Sequence, residues 1–218
     1  VDLPVHDAGD VTMPPGEIQQ SLRALTSAVT DVLRAGAMPV VLGGDHTVAM
    51  ADVTALAQHY GDGRIAVIHF DAHADTGDVE FNSLYGHGQP FRRLIESGAL
   101  RGNRLIQVGL RGYWPEPETL EWMARQQIRS FEMAEIGARG LADVLTEALA
   151  VAGDGTDGVF LSVDIDVVDP GTAPGTGTPE PGGLTARELL DAVRRIGRDA
   201  NLVGMEIVEV APSYDHSD

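Results

Sequence analysis

The sequence predicts a single α/β domain over residues 1–218, a three-layer α/β/α sandwich whose central sheet is mostly parallel. Two patterns carry that expectation. Short, continuous apolar runs alternate along the chain with segments whose apolar residues recur at helical spacing. A strand that is apolar on both faces needs cover on both sides, which a parallel sheet between helices provides. A third observation concerns the loops: the longest follow the runs ending at Phe70, Leu110 and Val163, so polar residues collect beyond one end of the strands.

Taken in order, VDLPV at the start reads as a strand. Ile18, Leu22, Leu25, Val29, Val32 and Leu33 keep helical spacing, with Gly36 as a C-cap. A strand over Met38 to Leu42 runs into Gly43-Gly44, and a helix over Thr47 to Tyr60 stops at Gly61-Asp62-Gly63. Further strands are expected at 65–70, 104–110, 128–131, 158–163 and 202–208, with helices at 90–97, 118–126, 141–152 and 185–196. The chain has no initiator Met and stops just after an apolar strand, so truncation at both ends is expected.

Composition narrows the function classes. Asp and Glu outnumber Lys and Arg by 33 to 15, for a formal net charge of −18. That balance disfavours nucleic acid and favours divalent cations and cationic substrates, although a solvated acidic surface explains most of it. The absence of cysteine excludes disulfides, thiolate metal sites and cysteine nucleophiles. No apolar run is long enough to span a membrane and no targeting segment is visible, so a cytoplasmic location is expected.

The chemistry lies at three strand ends. The run after Phe70 is Asp71-Ala72-His73-Ala74-Asp75, and in extended backbone residues two apart share a face. Asp164-Ile165-Asp166 repeats the alternation after a second strand, and Gly43-Gly44-Asp45-His46 delivers a histidine at a helix start. Carboxylates crowded at the ends of apolar strands are costly unless a cation sits among them. Four carboxylates and two imidazoles (His46, Asp71, His73, Asp75, Asp164 and Asp166) exceed the needs of one tetrahedral ion and suit two oxygen-rich sites. That donor set points first to two Mn2+, with Ni2+, Co2+ or Fe2+ as alternatives. Two such ions about 3.5–4 Å apart can generate a strong nucleophile from water near neutral pH. His69, a layer below Asp71, is expected to be a packed core histidine; His59 suits a helix C-terminus, and His6 and His216 carry no assignment. Asp45 is expected to orient the site from behind its neighbour His46.

The blocks GGDHT (43–47), FDAHADT (70–76), SVDIDVVDP (162–170), PGTGTPEPGGLT (174–185) and GMEIVEVAP (204–212) together resemble the ureohydrolases, the arginase and agmatinase family. The stretch EFNSLYGHGQPFRRL (80–94) makes the agmatinase and guanidino-acid hydrolase branch the nearest likeness. The resemblance implies that His46, Asp71, Asp75 and Asp164 hold one manganese and Asp71, His73, Asp164 and Asp166 the other. Asp71 and Asp164 would then bridge the pair. It further implies that His87 shuttles a proton, that Glu209 grips the guanidinium, and that Asp75 assists departure of the amine. Glu206 stands where the family more often has Asp. A homo-oligomer, trimer or hexamer, is implied as well.

The far end of the substrate is the open point. Acidic Asp78 and Glu80 would meet a terminal ammonium, as in agmatine, giving putrescine and urea. Arg111, on another strand-end loop with Tyr113 and Trp114, would instead meet a carboxylate, as in guanidinobutyrate or guanidinopropionate. Arginase activity, a non-catalytic homologue and a deacetylase-like amide hydrolase are the remaining alternatives. Retention of all six ligands and of Glu209 argues against the last two.

Overall fold

A computed structural model describes residues 4–215. It contains six strands, β1 (Val40–Leu42), β2 (Ile65–Phe70), β3 (Leu105–Leu110), β4 (Arg129–Glu132), β5 (Gly158–Asp164) and β6 (Leu202–Val208). All pair in parallel, in the order β1-β6-β5-β2-β3-β4. Seven helices accompany them: α1 (Ile18–Arg34), α2 (Ala49–Tyr60), α3 (Pro90–Ser97), α4 (Pro117–Arg125), α5 (Met133–Arg139), α6 (Leu141–Gly153) and α7 (Ala186–Asp199).

Alternation along β2 shows how the layers form. Ile65 and Val67 join the core made with α1, α2 and α3, whereas Ala66, Ile68 and Phe70 join the core made with α5, α6 and α7. Every residue of β2 is buried, as a central strand covered on both faces requires. The three-layer sandwich is therefore present.

The chain runs outward from β2 through β3 to β4, then returns to β5 and continues outward to β6. Consequently the helices following the adjacent strands β2 and β5 lie on opposite faces, α3 on one and α7 on the other. Their chain directions diverge there and leave a crevice beyond the strands' carboxyl ends, where ligands bind in open α/β sheets.

Two sequence expectations differ. Residues 4 and 5 of the expected opening strand are exposed coil, and residues 1–3 lie outside the described part. Pro4 lacks the backbone donor that a strand's ladder needs, so VDLPV is a poor strand former despite its apolar content. α5 was not expected: its seven residues are too few to display helical periodicity. Among the described residues no helix is long and apolar enough to cross a membrane.

Candidate metal centre

Strand register brings the acidic runs together. Phe70 pairs with Val163, so Asp71 and Asp164 leave neighbouring strands side by side. His46 enters from the end of β1, where Gly43 (φ 92°) and Gly44 (φ 87°) take left-handed conformations that turn the chain sharply. Asp45 caps the short helical turn that follows, accepting from the Thr47 amide at 3.1 Å, and so braces the turn that begins at His46.

His46 Nδ1 is ringed by Asp75 Oδ2 at 3.0 Å, Asp71 Oδ2 at 3.1 Å and Asp164 Oδ2 at 3.2 Å. A second group forms where His73 Nδ1 approaches Asp166 Oδ2 at 2.9 Å and Asp71 Oδ1 at 3.5 Å. Asp71 thus presents one oxygen to each group. Asp164 presents Oδ2 to the His46 group, while its Oδ1 accepts from the Asp166 amide at 2.8 Å. All six residues singled out in the sequence converge here.

The residues fit metal ions on their own chemistry. His46 Nδ1 and Asp166 Oδ2 are fully buried and lack a well-formed hydrogen bond, although the electronegative atoms of the other candidate ligands crowd around them. Converging lone pairs of this kind are satisfied by a cation. Two sets of ligand atoms close enough to share ions, His46/His69/Asp71/Asp75 and Asp71/His73/Asp166, meet at Asp71.

Without cations the electrostatics are strained. Burial raises the Asp75 carboxyl to about 7, and the neighbouring Asp71 charge adds to the rise. Burial and Asp71 likewise hold Asp164 well above the ordinary carboxylate range. Burial opposes the charge on His73, but the adjacent Asp166 and Asp71 carboxylates outweigh that and lift it to about 11. A divalent ion would reverse this logic, holding the carboxylates ionised and the imidazoles neutral.

One layer below lies a row of polar residues that sequence reasoning largely missed. Ser130, Gln107, His69, Ser162 and Glu206 are paired neighbours across β4, β3, β2, β5 and β6. Ser130 donates to Gln107 Oε1 at 2.9 Å, which turns the Gln107 amide nitrogen toward His69 Nδ1 at 3.1 Å. His69 therefore keeps its proton on Nε2 and donates to Asp71 Oδ2 at 2.7 Å. Burial lowers His69 to about 4, so it stays neutral. His69 is buried against Phe91 as a core histidine should be, yet it also orients a ligand. On the other side His46 Nε2 meets Ser162 Oγ at 2.7 Å. Glu206 is fully buried beyond it, facing Asp52 of α2, and no donor among the described residues completes a hydrogen bond to either carboxyl group.

Above the ligands is a cleft of about 130 Å³ lined by residues that include Asp75, Glu80, His87, Trp114 and Thr178. Glu209 follows β6 with φ 60°, an uncommon conformation for glutamate; its carboxylate accepts from the His46 amide at 2.8 Å and meets His87 Nδ1 at 3.5 Å. Glu80 lies on the cleft wall, on a backbone bed made by Gly77 and Gly88: a Cβ at either would fall within 3 Å of its carboxylate.

Asp78 is placed differently from its expected role. Its carboxylate pairs with Arg92 at 3.1 Å and Arg93 at 3.3 Å and does not line the cleft. Arg111 is also committed elsewhere, because all three guanidinium nitrogens donate to backbone carbonyls. Tyr113 is fully exposed, and only Trp114 of that pair reaches the cleft. Thr178 carried no signal in the sequence, since the fold of its glycine- and proline-rich loop decides its position.

A family model described as the arginase family matches residues 1–218, the whole chain. The chain belongs to the arginase family. It is 40% identical over 212 residues to the guanidinopropionase of Pseudomonas aeruginosa, covering 97% of this chain and 65% of that protein. It is 37% identical over 217 residues to the mitochondrial agmatinase of Gallus gallus, covering 99% of this chain and 62% of that protein. Among solved structures, the formimidoylglutamase of Bacillus subtilis superposes with a TM-score of 0.92 at 35% identity, covering 99% of this chain and 67% of that one. The chain thus spans a little under two thirds of the length of the two curated relatives. The ureohydrolase resemblance and the arginase-like fold are borne out, and the buried His/Asp cluster suits the metal pair of an amidinohydrolase family.

Proposed function

We propose that this arginase-family member hydrolyses the guanidino group of an amine-terminated guanidine, of the agmatine class, to urea and an amine on a two-manganese centre. The observation that carries the substrate class is Glu80, a carboxylate on the cleft wall with no basic partner among the described residues. A terminal ammonium complements it. The cleft lining contains no lysine or arginine to receive a carboxylate, and Arg111, which would have done so, is spent on the backbone.

Manganese bound by His46, Asp71, His73, Asp75, Asp164 and Asp166 would supply an acidified water and offset negative charge developing on the substrate. The remaining steps belong to the protein. Glu209, held by the His46 amide, accepts hydrogen bonds from the planar guanidinium and orients its carbon over the ligands. His87, half exposed at the mouth of the cleft, carries a proton to the departing amine, with Asp75 beneath it. The homo-oligomer implied by the family likeness belongs to the same proposal.

A second reading, hydrolysis of a guanidino acid, is favoured by the 40% identity to a protein named guanidinopropionase. Urea release measured with Mn2+ on agmatine, guanidinobutyrate, guanidinopropionate and arginine separates them. Agmatine should give the highest kcat/KM, and Glu80→Gln should raise its KM about tenfold or more while sparing the guanidino acids. A guanidino acid as best substrate, indifferent to Glu80, overturns the amine assignment. Full urea release by Asp71→Ala or Asp166→Ala would sink the metal centre itself.

A further inference from the structure

We infer that Arg111 is a positioning residue that locks the metal-ligand loop of Asp166 to the cleft loop carrying Thr178. The inference rests on the metal-centre reading above and adds a role for a side chain outside both the ligand set and the cleft. The guanidinium stands between two loops as a clamp. Nη2 donates to the carbonyls of Asp166 at 2.7 Å and Glu180 at 2.6 Å. Nη1 donates to Gly109 and Val167, both at 3.3 Å, and Nε to Pro181 at 3.1 Å. Every face of the planar fork is therefore used, in a geometry that an ammonium cannot reproduce.

The same residue reaches Asp166 a second way. The Arg111 amide donates to the Ala72 carbonyl at 2.9 Å, and the Ala72 amide donates to Asp166 Oδ1 at 2.9 Å. The other ligand oxygen, Oδ2, is the one left facing His73. The Ala72 amide thus sets the rotamer that turns Oδ2 toward His73, a backbone link that any residue at 111 keeps, while the Arg111 side chain holds the main chain of Asp166 and Val167 beneath it. On the far side the clamp closes against Gly183, where a Cβ would lie 2.6 Å from Arg111 Nη2 and 2.5 Å from the Val167 carbonyl. The Leu184 amide bonds that same carbonyl at 2.9 Å, and the Gly182 amide bonds Asp169 Oδ2 at 2.8 Å. Besides the clamp and these two amides, the 174–184 loop is tied by the Asp169 amide to the Leu184 carbonyl at 2.9 Å and by the Ala211 amide to the Gly175 carbonyl at 2.8 Å, so the stretch around Glu180 is the part that depends most on Arg111.

Arg111→Lys keeps the charge and removes the fork, and Arg111→Gln removes both; whichever folds is read. Two measurements decide. Titration with Mn2+ alone should show the weaker of two equivalents losing 10- to 100-fold in affinity, the cost typical of removing a group that orients a ligand. Hydrogen exchange in metal-free protein should show faster exchange at Gly182 and Leu184, with α2 and β6 unchanged. A lowered melting temperature with parental Mn2+ affinity and parental exchange at those amides would reduce Arg111 to bulk stability and overturn the inference. A parent that binds no Mn2+ would defeat the metal-centre reading instead, and the exchange arm would still decide whether the clamp exists.

Discussion

Glu209 and His87 are prepared for a cation before one arrives. The bond to Glu209 is the main reason the imidazole rises to about 9, against its partial burial. Burial works to raise Glu209, but His87 and the His46 amide outweigh it and hold the carboxyl below its ordinary range. With a folded pKa raised above the ordinary value, the His87 charge and its attraction to Glu209 are fully present below about pH 6.5. Both are lost as pH rises through about 9. Imidazole NMR of metal-free protein should therefore find His87 titrating near 9, and near its ordinary value in Glu209→Gln. An unchanged midpoint in that variant would show that Glu209 does not set the His87 proton. The Asp52–Glu206 pair changes stability with pH in the same direction, but as a cost at high pH and not as a gain at low pH. Burial first, and the facing Glu206 second, hold Asp52 well above the ordinary carboxyl range. The folded state then binds more protons than the unfolded one, so this pair costs stability progressively as pH rises above about 4. Asp52→Asn, which supplies an amide donor toward Glu206, should stabilise the metal-free protein by on the order of 1 kcal/mol at pH 8 and by less at pH 5. Denaturant melts at the two pH values check this, and a gain independent of pH would refute the ionisation account.

Elements differ in how openly the sequence states them. β2 and β6 match their expected bounds because each is an apolar run with a single polar interruption that gives way to a polar loop. β1 is shorter than expected, since Met38 and Pro39 precede the first residue that pairs with β6. Five of the six candidate ligands were legible for a related reason: a period of two after a strand groups Asp71, His73 and Asp75, and Asp164 and Asp166, while His46 was legible from the glycine pair that turns the chain before it. What lay one layer down was harder to read. Gln107, His69, Ser162 and Glu206 each occupy one polar position in an otherwise apolar strand, and one such residue is uninformative. Only the register, which no single strand reveals, lines them up beneath the ligands. Arg111 and Asp78 failed differently. Both lie in polar loops where a charged side chain has many reachable partners, and tertiary contacts decided between substrate and protein. The left-handed backbones of Asp75 and Glu209 had no sequence signal at all, because non-glycine residues adopt them only when the surrounding fold compels it.

For the whole molecule, the candidate metal centre is where the fold gives up stability. Its four carboxylates are buried beyond the ends of β2 and β5 against His46 from the turn after β1, a cluster whose members lie up to 120 residues apart in sequence. Attraction to the imidazoles relieves only part of their repulsion, and the protein as a whole carries a net charge of −18. Any cation that binds the folded cluster and not the unfolded chain must therefore stabilise the fold by mass action. At a free concentration about a hundredfold above its Kd, one ion contributes about 2.7 kcal/mol. A protein of this size gains ~2–4 °C per kcal/mol, so Mn2+ should raise the melting temperature by roughly 5–11 °C per ion, reversibly on chelation. Asp71 serves both groups, so Asp71→Asn should abolish nearly the whole rise, whereas Asp166→Asn should leave the part owed to the His46 group. Identical melting curves with Mn2+ and with chelator would show that these residues form a polar core and not a metal centre. Equal losses in the two variants would argue that the ions bind as an inseparable pair.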